Sequence, residues 1–264
     1  FHHFDPMEVV ATAEELKTLL AAHPGRPYLL FPEDRKYPIR MTDELPLRWV
    51  RSGPSETFTG AACRGEVYAW QIGLYAGAQP LEEVAAEFSD LTLGDGAQGK
   101  TIPASAVRCF NVSGTDWLGR PLRKVVNVPQ GKVQALWFGA AVPRETAPGT
   151  YRGTVTLRAK NAPATSITLT LNVADKVLED AGDGELWRYA RLRWLDSTIG
   201  LDDEVFPPYS PVTVKGRDIA VLGRAVQLAD TGLFCSITNR FTRNVDGIDA
   251  APQELLAEPM RLIV

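Results

Sequence analysis

Asp203-Glu204, with Asp202 beside it, comes nearer to hydrolytic chemistry than any other spacing in this chain. Adjacent carboxyl groups can divide general-acid and orienting work, provided burial or a like charge keeps one of them protonated near neutral pH. Asp202 supplies a like charge. The trio nevertheless lies in a polar turn before Phe206-Pro207-Pro208, where no strand end would aim it into a pocket. Turn packing is the expected role, ahead of a calcium or structural contact, and no residue is assigned as catalytic. Glu33-Asp34 and Asp43-Glu44 are weaker pairs of the same kind.

A second constellation interleaves Trp187, Tyr189 and Trp194 with Arg188, Arg191 and Arg193. Flat aromatic faces beside hydrogen-bonding guanidiniums suit sugar rings. A strand whose inner face packs while its outer arginines pair with Glu185, Asp196, Asp202 and Asp203 would carry the same pattern, and this structural reading is favoured. Trp117 sits in the Gly-containing loop Ser113–Arg120, where it either plugs the end of a fold or meets a ligand or a neighbouring domain. Trp117, Trp187, Tyr189, Trp194 and Arg193 are thus the candidate contacts to carbohydrate or to another domain. Trp70 and Trp137 lie on strand-like segments and are expected in the core.

Other chemistries find little footing. His2, His3 and His23 make no metal set, and Cys63, Cys109 and Cys235 lack CxxC spacing, so free thiols are favoured and neither metal nor cofactor is expected. Without a Gly-x-Ser-x-Gly elbow or a phosphate loop, nucleophile chemistry and nucleotide binding lack support. A formal charge of −4 with no long basic run disfavours nucleic acid as a partner. No apolar run approaches the ~20 residues of a membrane span.

Any site must be positioned by the elements around it. Thr12 with Glu15, followed by Leu16, Leu19 and Leu20, predicts a capped helix over residues 8–22 that ends at His23-Pro24-Gly25. Residues 28–31 read as a short buried strand and residues 32–46 as irregular. From Leu47 the pattern turns to β, with strands expected at 57–63, 66–75, 107–112, 133–142, 150–159 and 166–173. Residues 81–88 read as a helical turn and 93–101 as a loop. Ala147-Pro148-Gly149-Thr150 has turn chemistry, and the period of two after it puts Tyr151, Gly153, Val155 and Leu157 on one face. The acidic, Gly-containing stretch Asp175–Gly184 marks the expected domain boundary. Short meander strands are expected beyond it at 212–215, 218–221, 225–228 and 234–238. The expected fold is mostly β: an N-terminal α/β segment (1–47), an immunoglobulin-like β-sandwich (48–176) and the start of a second β-sandwich domain (177–264). An opening without Met and an apolar, strand-like close at Arg261-Leu262-Ile263-Val264 suggest a piece of a longer protein.

Trp137 on its strand, followed by Pro148-Gly149-Thr150-Tyr151-x-Gly153-x-Val155, resembles a signature of sandwich modules in bacterial carbohydrate-active enzymes. Gly65–Gln71, Arg191–Glu204, Pro207–Pro211, Val221–Val226 and Asp230–Leu233 widen this, over most of residues 48–264, into a resemblance to the N-terminal, non-catalytic region of glycoside hydrolase family 123-type proteins. The resemblance implies β-sandwich domains ahead of a (β/α)₈ catalytic barrel. It also implies removal of an N-acetylhexosamine, typically N-acetylgalactosamine, with the substrate's acetamido group as nucleophile and a barrel Asp-Glu pair orienting it and supplying the acid. After residue 47 there is no strand–helix alternation of the kind a barrel needs, so that pair is expected beyond Val264. The partners implied are a glycan, reached through the parent enzyme, and an intramolecular catalytic domain; the implied location is secreted or periplasmic. The alternatives are a self-standing carbohydrate-binding module and a purely structural or adhesion sandwich.

Overall fold

The computed structural model describes residues 8–94, 100–202 and 204–263. Helix α1 (Ala13–Ala22) leads through β1 (Leu29–Asp34) and α2 (Leu47–Ser52) to β2 (Thr57–Arg64) and β3 (Val67–Tyr75). The short strands β4 (Ala85–Phe88), β5 (Leu91–Leu93), β6 (Thr101–Ile102) and β7 (Val107–Cys109) follow, then the hairpin β8 (Ser113–Thr115) with β9 (Pro121–Arg123). The long strands β10 (Val133–Ala141), β11 (Gly149–Ala159) and β12 (Ala162–Val177) complete the set. One sheet has the order β1-β3-β10-β7. The other has the order β2-β12-β11-β5-β6, with β4 also on β11; β2 runs parallel to β12.

The two sheets share one dry interior, and the period of two builds it. Tyr68, Trp70, Ile72 and Leu74 of β3 point into it and meet Leu136 and Phe138 of β10, Tyr151, Val155 and Leu157 of β11, and the alternating Ile167, Leu169, Leu171 and Val173 of β12. Trp70 is its centre, stacked at 5.4 Å on Phe138 and at 6.1 Å on Phe58. The expected turn at Ala147-Pro148-Gly149-Thr150 falls earlier: the Thr146 N–H donates to the Pro143 carbonyl at 3.2 Å, Pro148 is only a bend, and Gly149 and Thr150 already belong to β11. Gly149 takes a φ of 146°, and the Tyr151 hydroxyl donates to the carbonyl of Ala147 at 2.9 Å, fastening the approach to its own strand.

All nine positions of β3 are buried, because its other face is covered as well. A second cluster joins Leu19 of α1, Trp49 of α2, Phe31 of β1, and Ile39 and Leu45 to Tyr75 and Val133. Trp49 lies flat on Phe31, centroids 4.7 Å apart and planes 2° from parallel. The sheet admits this layer because its outer face is small where the indole lands: a Cβ on Gly73 would stand 2.3 Å from the Trp49 ring. Gln71, also on the outer face, uses its carboxamide oxygen to accept the Ile39 N–H at 2.8 Å, which pins the covering loop.

Several local expectations change. The helix holds over Ala13–Ala22, with the Thr12–Glu15 capping box formed in both directions, while residues 8–12 lie outside it and Val10 bridges Pro46 instead; α2 replaces the expected start of all-β structure. Residues 85–88 form a strand, not a helical turn, because pairing with β11 from Val155 to Arg158 outweighs the local helix preference of Glu82, Glu83, Ala85, Ala86 and Glu87. The Leu186–Leu195 stretch is not a strand either. It runs through 3₁₀ turns at Leu186–Arg188 and Ala190–Asp196, the second packed on β3, β8 and β10, and another 3₁₀ turn at Asp180–Gly182 precedes it.

Two compact units divide between Thr198 and Ile199. The second is an antiparallel meander of five strands, β13 (Thr213–Lys215), β14 (Asp218–Val221), β15 (Arg224–Leu228), β16 (Phe234–Phe241) and β17 (Ile248–Glu254). Among the described residues from Ile199 onward, no side chain is buried. The last pairing leans on Glu254, whose carboxylate accepts the Ser236 hydroxyl at 2.5 Å and the N–H groups of Ile237 and Leu256 at 2.9 and 3.0 Å.

Two predictions follow from these contacts. Gly73→Ala should cost about 1–3 kcal/mol in urea unfolding, since Trp49 must move, whereas Gly184→Ala, with nothing within 4 Å of its added Cβ, should leave the midpoint unchanged. The bonds from Ser236, Ile237 and Leu256 lower the Glu254 carboxyl from 4.5 to about 2. The stabilisation it gives the meander is therefore whole above pH 4.5 and is lost as pH falls through about 2. An NMR titration should place the Ile237 amide transition near the lower value, and Glu254→Gln should abolish it.

Candidate functional site

The turn from β2 into β3 carries a carboxylate shut away from water. The Glu66 side chain has 0% exposure, and those of Arg35 and Arg188 have 3% and 8%. One Glu66 oxygen accepts from Nη1 of Arg35 at 2.6 Å and from Nη1 of Arg188 at 2.9 Å; the other accepts the Cys63 N–H at 2.7 Å. Arg35 also donates to the Arg188 carbonyl at 3.2 Å. Three distant segments, the residue after β1, the β2–β3 turn and the Leu186–Arg188 turn, therefore meet on one carboxylate. Burial works against the charge of Arg188, but its bonds to Glu66 and Glu185 outweigh that and raise its pKa.

This network presents Trp187. The Arg188 guanidinium lies 4.3 Å from the Trp187 ring centroid and that of Arg35 lies 5.0 Å from it. With 51% of its surface exposed, Trp187 stands in a cleft of about 580 Å³ shared with Asp34, Lys36, Cys63, Thr150 and Asn172. Asp34 accepts the Tyr68 hydroxyl at 2.7 Å, and burial first, then that bond, pushes the phenol well above its ordinary range. Thr150 donates to Asn172 at 2.8 Å. An aromatic plate edged by fixed hydroxyl, amide and carboxylate groups suits a ring with an apolar face and polar rim. Glu185, the acid nearest the plate in sequence, is held below the ordinary carboxylate range by its hydrogen bond to Arg188. That is opposite to what a general acid needs.

The five candidates do not converge. Trp187 lines the cleft. Tyr189 packs against Trp137 at 5.1 Å. Trp137 is therefore half-buried outside the sandwich interior, while Trp70 is central as expected. Arg193 and Trp194 turn to Asp183, donating to the same carboxylate oxygen at 2.6 and 3.1 Å. Trp117 plugs nothing: it is 78% exposed at the tip of the β8–β9 hairpin, on a turn where Asp116 accepts the N–H groups of Leu118 and Arg120. Asp203 lies outside the described residues, and the Glu204 N–H donates to Asp202 at 3.1 Å, a turn contact. Cys63, Cys109 and Cys235 are free thiols, and burial pushes Cys109 up to about 11. Among the described residues no group of three His, Cys, Asp or Glu side chains could hold a metal ion. No helix among them is long and apolar enough to cross a membrane.

Residues 212–264 match the family model described as glycoside hydrolase 123, third domain, and so include the Val221–Val226 and Asp230–Leu233 motifs. Among solved structures the chain is similar to a family 123 glycoside hydrolase from Clostridium perfringens studied for glycolipid glycan hydrolysis, at 15% identity and a TM-score of 0.44, over 57% of this chain and 27% of that one. It is also similar to PapD-like domain 7 of human CEP192, at 12% identity and a TM-score of 0.33, over 66% of this chain and 99% of that one. A third is the seventh ScaB type I cohesin from Pseudobacteroides cellulosolvens, at 13% identity and a TM-score of 0.23, over 47% of this chain and 95% of that one. No curated protein matches the chain.

Glu66→Gln should destabilise the first unit by about 3–5 kcal/mol, because Arg35 then loses its counter-charge inside the protein and Arg188 keeps only the half-exposed Glu185. The triple variant Arg35→Met, Glu66→Leu, Arg188→Met should recover most of that loss. Denaturant unfolding of both variants checks it; a triple variant as weak as the single one would mean that the network acts through something other than paired charge.

Proposed function

We propose that this chain is the non-catalytic part of a secreted or periplasmic glycoside hydrolase of the family 123 type, acting on N-acetylhexosamine-containing glycans. In this reading it packs against a catalytic barrel in the same polypeptide. The match of residues 212–264 to the third domain of that family carries the reading. Its finer parts, the sugar, the export and the barrel, rest on what the resemblance implies. The second unit gives physical support. A five-stranded sheet without a buried side chain has no interior of its own, and sheets become stable by burying a face against another layer. Polypeptide beyond the described residues is the natural source of that layer.

Carbohydrate binding by the first unit is the second reading, and one observation favours it: Trp187 is half exposed in a cleft with Asp34, Thr150 and Asn172. That arrangement would hold glycan beside the active site instead of cleaving it.

An assay of the complete gene product and of this chain alone on aryl N-acetylgalactosaminides and N-acetylglucosaminides separates the possibilities. Turnover by the complete product alone is expected. Turnover by this chain would overturn the reading, and so would inactivity of both. Saturable binding of N-acetylgalactosamine by this chain, lost in Trp187→Ala, would support the binding role.

A further inference from the structure

Lys36 also lines a second cleft, of about 600 Å³, between the Lys36–Arg40 loop and helix α2. Four side chains of its wall are cationic, Lys36, Arg40, Arg48 and Arg51, against the one carboxylate of Glu8, in a chain whose net charge is −4. Arg48 is already committed: Glu8 and the buried Glu33 both pair with it, and Glu33 also accepts from the Trp49 indole. Among the described residues no carboxylate lies within ion-pair distance of Lys36 or Arg51, the latter being drawn only at longer range to Glu15. Uncompensated cations gathered in a concave, partly apolar wall focus a positive field that an anionic ligand would relieve.

The rest of the wall is apolar, with Val9, Pro38 and Leu47 beside the ring of Tyr37. Tyr37 is 59% exposed, and the Arg48 guanidinium stands 5.7 Å from its centroid. A simple anion would use the charge and ignore this lining; a neutral sugar would use the lining and ignore the charge.

We infer that this cleft binds a sugar ring bearing a sulfate or carboxylate, with the anionic group met by Lys36 and Arg51 and the ring laid against Tyr37. Recognition of the anion rests on the cleft alone, while the choice of a sugar to carry it rests on the function proposed above.

Calorimetric titration of this chain with N-acetylgalactosamine 4-sulfate, glucuronic acid, neutral N-acetylgalactosamine and inorganic sulfate tests the inference. The sulfated sugar or the uronic acid should bind at least about tenfold more tightly than both the neutral sugar and inorganic sulfate. Lys36→Ala and Arg51→Ala should each weaken that binding about tenfold, and added salt should weaken it further. Lys17→Ala, which removes an equal charge outside the cleft, should not change it. Circular dichroism confirms that each variant is folded. The inference is overturned if neither acidic sugar binds, if the neutral sugar or inorganic sulfate binds equally well, or if Lys17→Ala weakens binding as much as Arg51→Ala does. Because this readout is binding by the chain itself, it stands apart from turnover by the complete product, and the two ideas can fail separately.

Discussion

A carboxylate with no contact to water sets the terms for the first unit. Glu66 is tolerable where it is only because two guanidiniums and a backbone N–H reach it together; any one of the three alone would leave a charge stranded in a poor dielectric. Such a cluster adds little net stability over a well-packed apolar one. What it adds is exclusivity: the chain leaving β1, the β2–β3 turn and the segment after β12 must all arrive at one point for any of them to be satisfied. That requirement keeps the Leu186–Arg188 turn against the sandwich and leaves the Trp187 ring half exposed, so the open face of Trp187 is a by-product of a charge being neutralised beneath it.

The second organising fact is that β3 has no wet side. Its bulky residues fill the sandwich, while its smaller ones, above all Gly73, let Trp49 and α2 settle on the back. The N-terminal segment is thus a third layer over the first sheet. Burying both faces of this sheet leaves the turn after β1 as a ridge, and Lys36 on that ridge borders both the Trp187 cleft and the cationic cleft.

Local rules made much of this legible in the sequence. Thr12 and Glu15 announce their capping box, Tyr151, Val155 and Leu157 announce a buried face, and the meander strands follow their glycines. What escaped was decided at long range. Glu66 meets Arg35 across 31 positions and Arg188 across 122, and nothing near any of the three betrays the others. The only local sign was an acidic residue at the mouth of an apolar strand. Helix α2 is only six residues long and is held by Trp49, not by propensity, so periodicity could not register it. The aromatic–arginine run has a composition shared by strands and by 3₁₀ turns; Asp183, by collecting Arg193 and Trp194 on one oxygen, decides between them. Of the site candidates, Trp187 lines a cleft, Trp117 and Trp194 are exposed outside it, and Tyr189 and Arg193 are taken up by Trp137 and Asp183.

The second unit, whose described side chains all keep some contact with solvent, has a thermodynamic consequence. The heat-capacity increment of unfolding tracks the apolar surface newly hydrated. A sheet whose described side chains are at most partly buried has less left to hydrate than one with a dry interior, so the larger share of this chain's increment belongs to the sandwich and its N-terminal layer. Its melting curve would report chiefly on residues up to Thr198. A layer that dried that sheet would add to the meander's own increment, and its stability would then depend on temperature in a more curved manner.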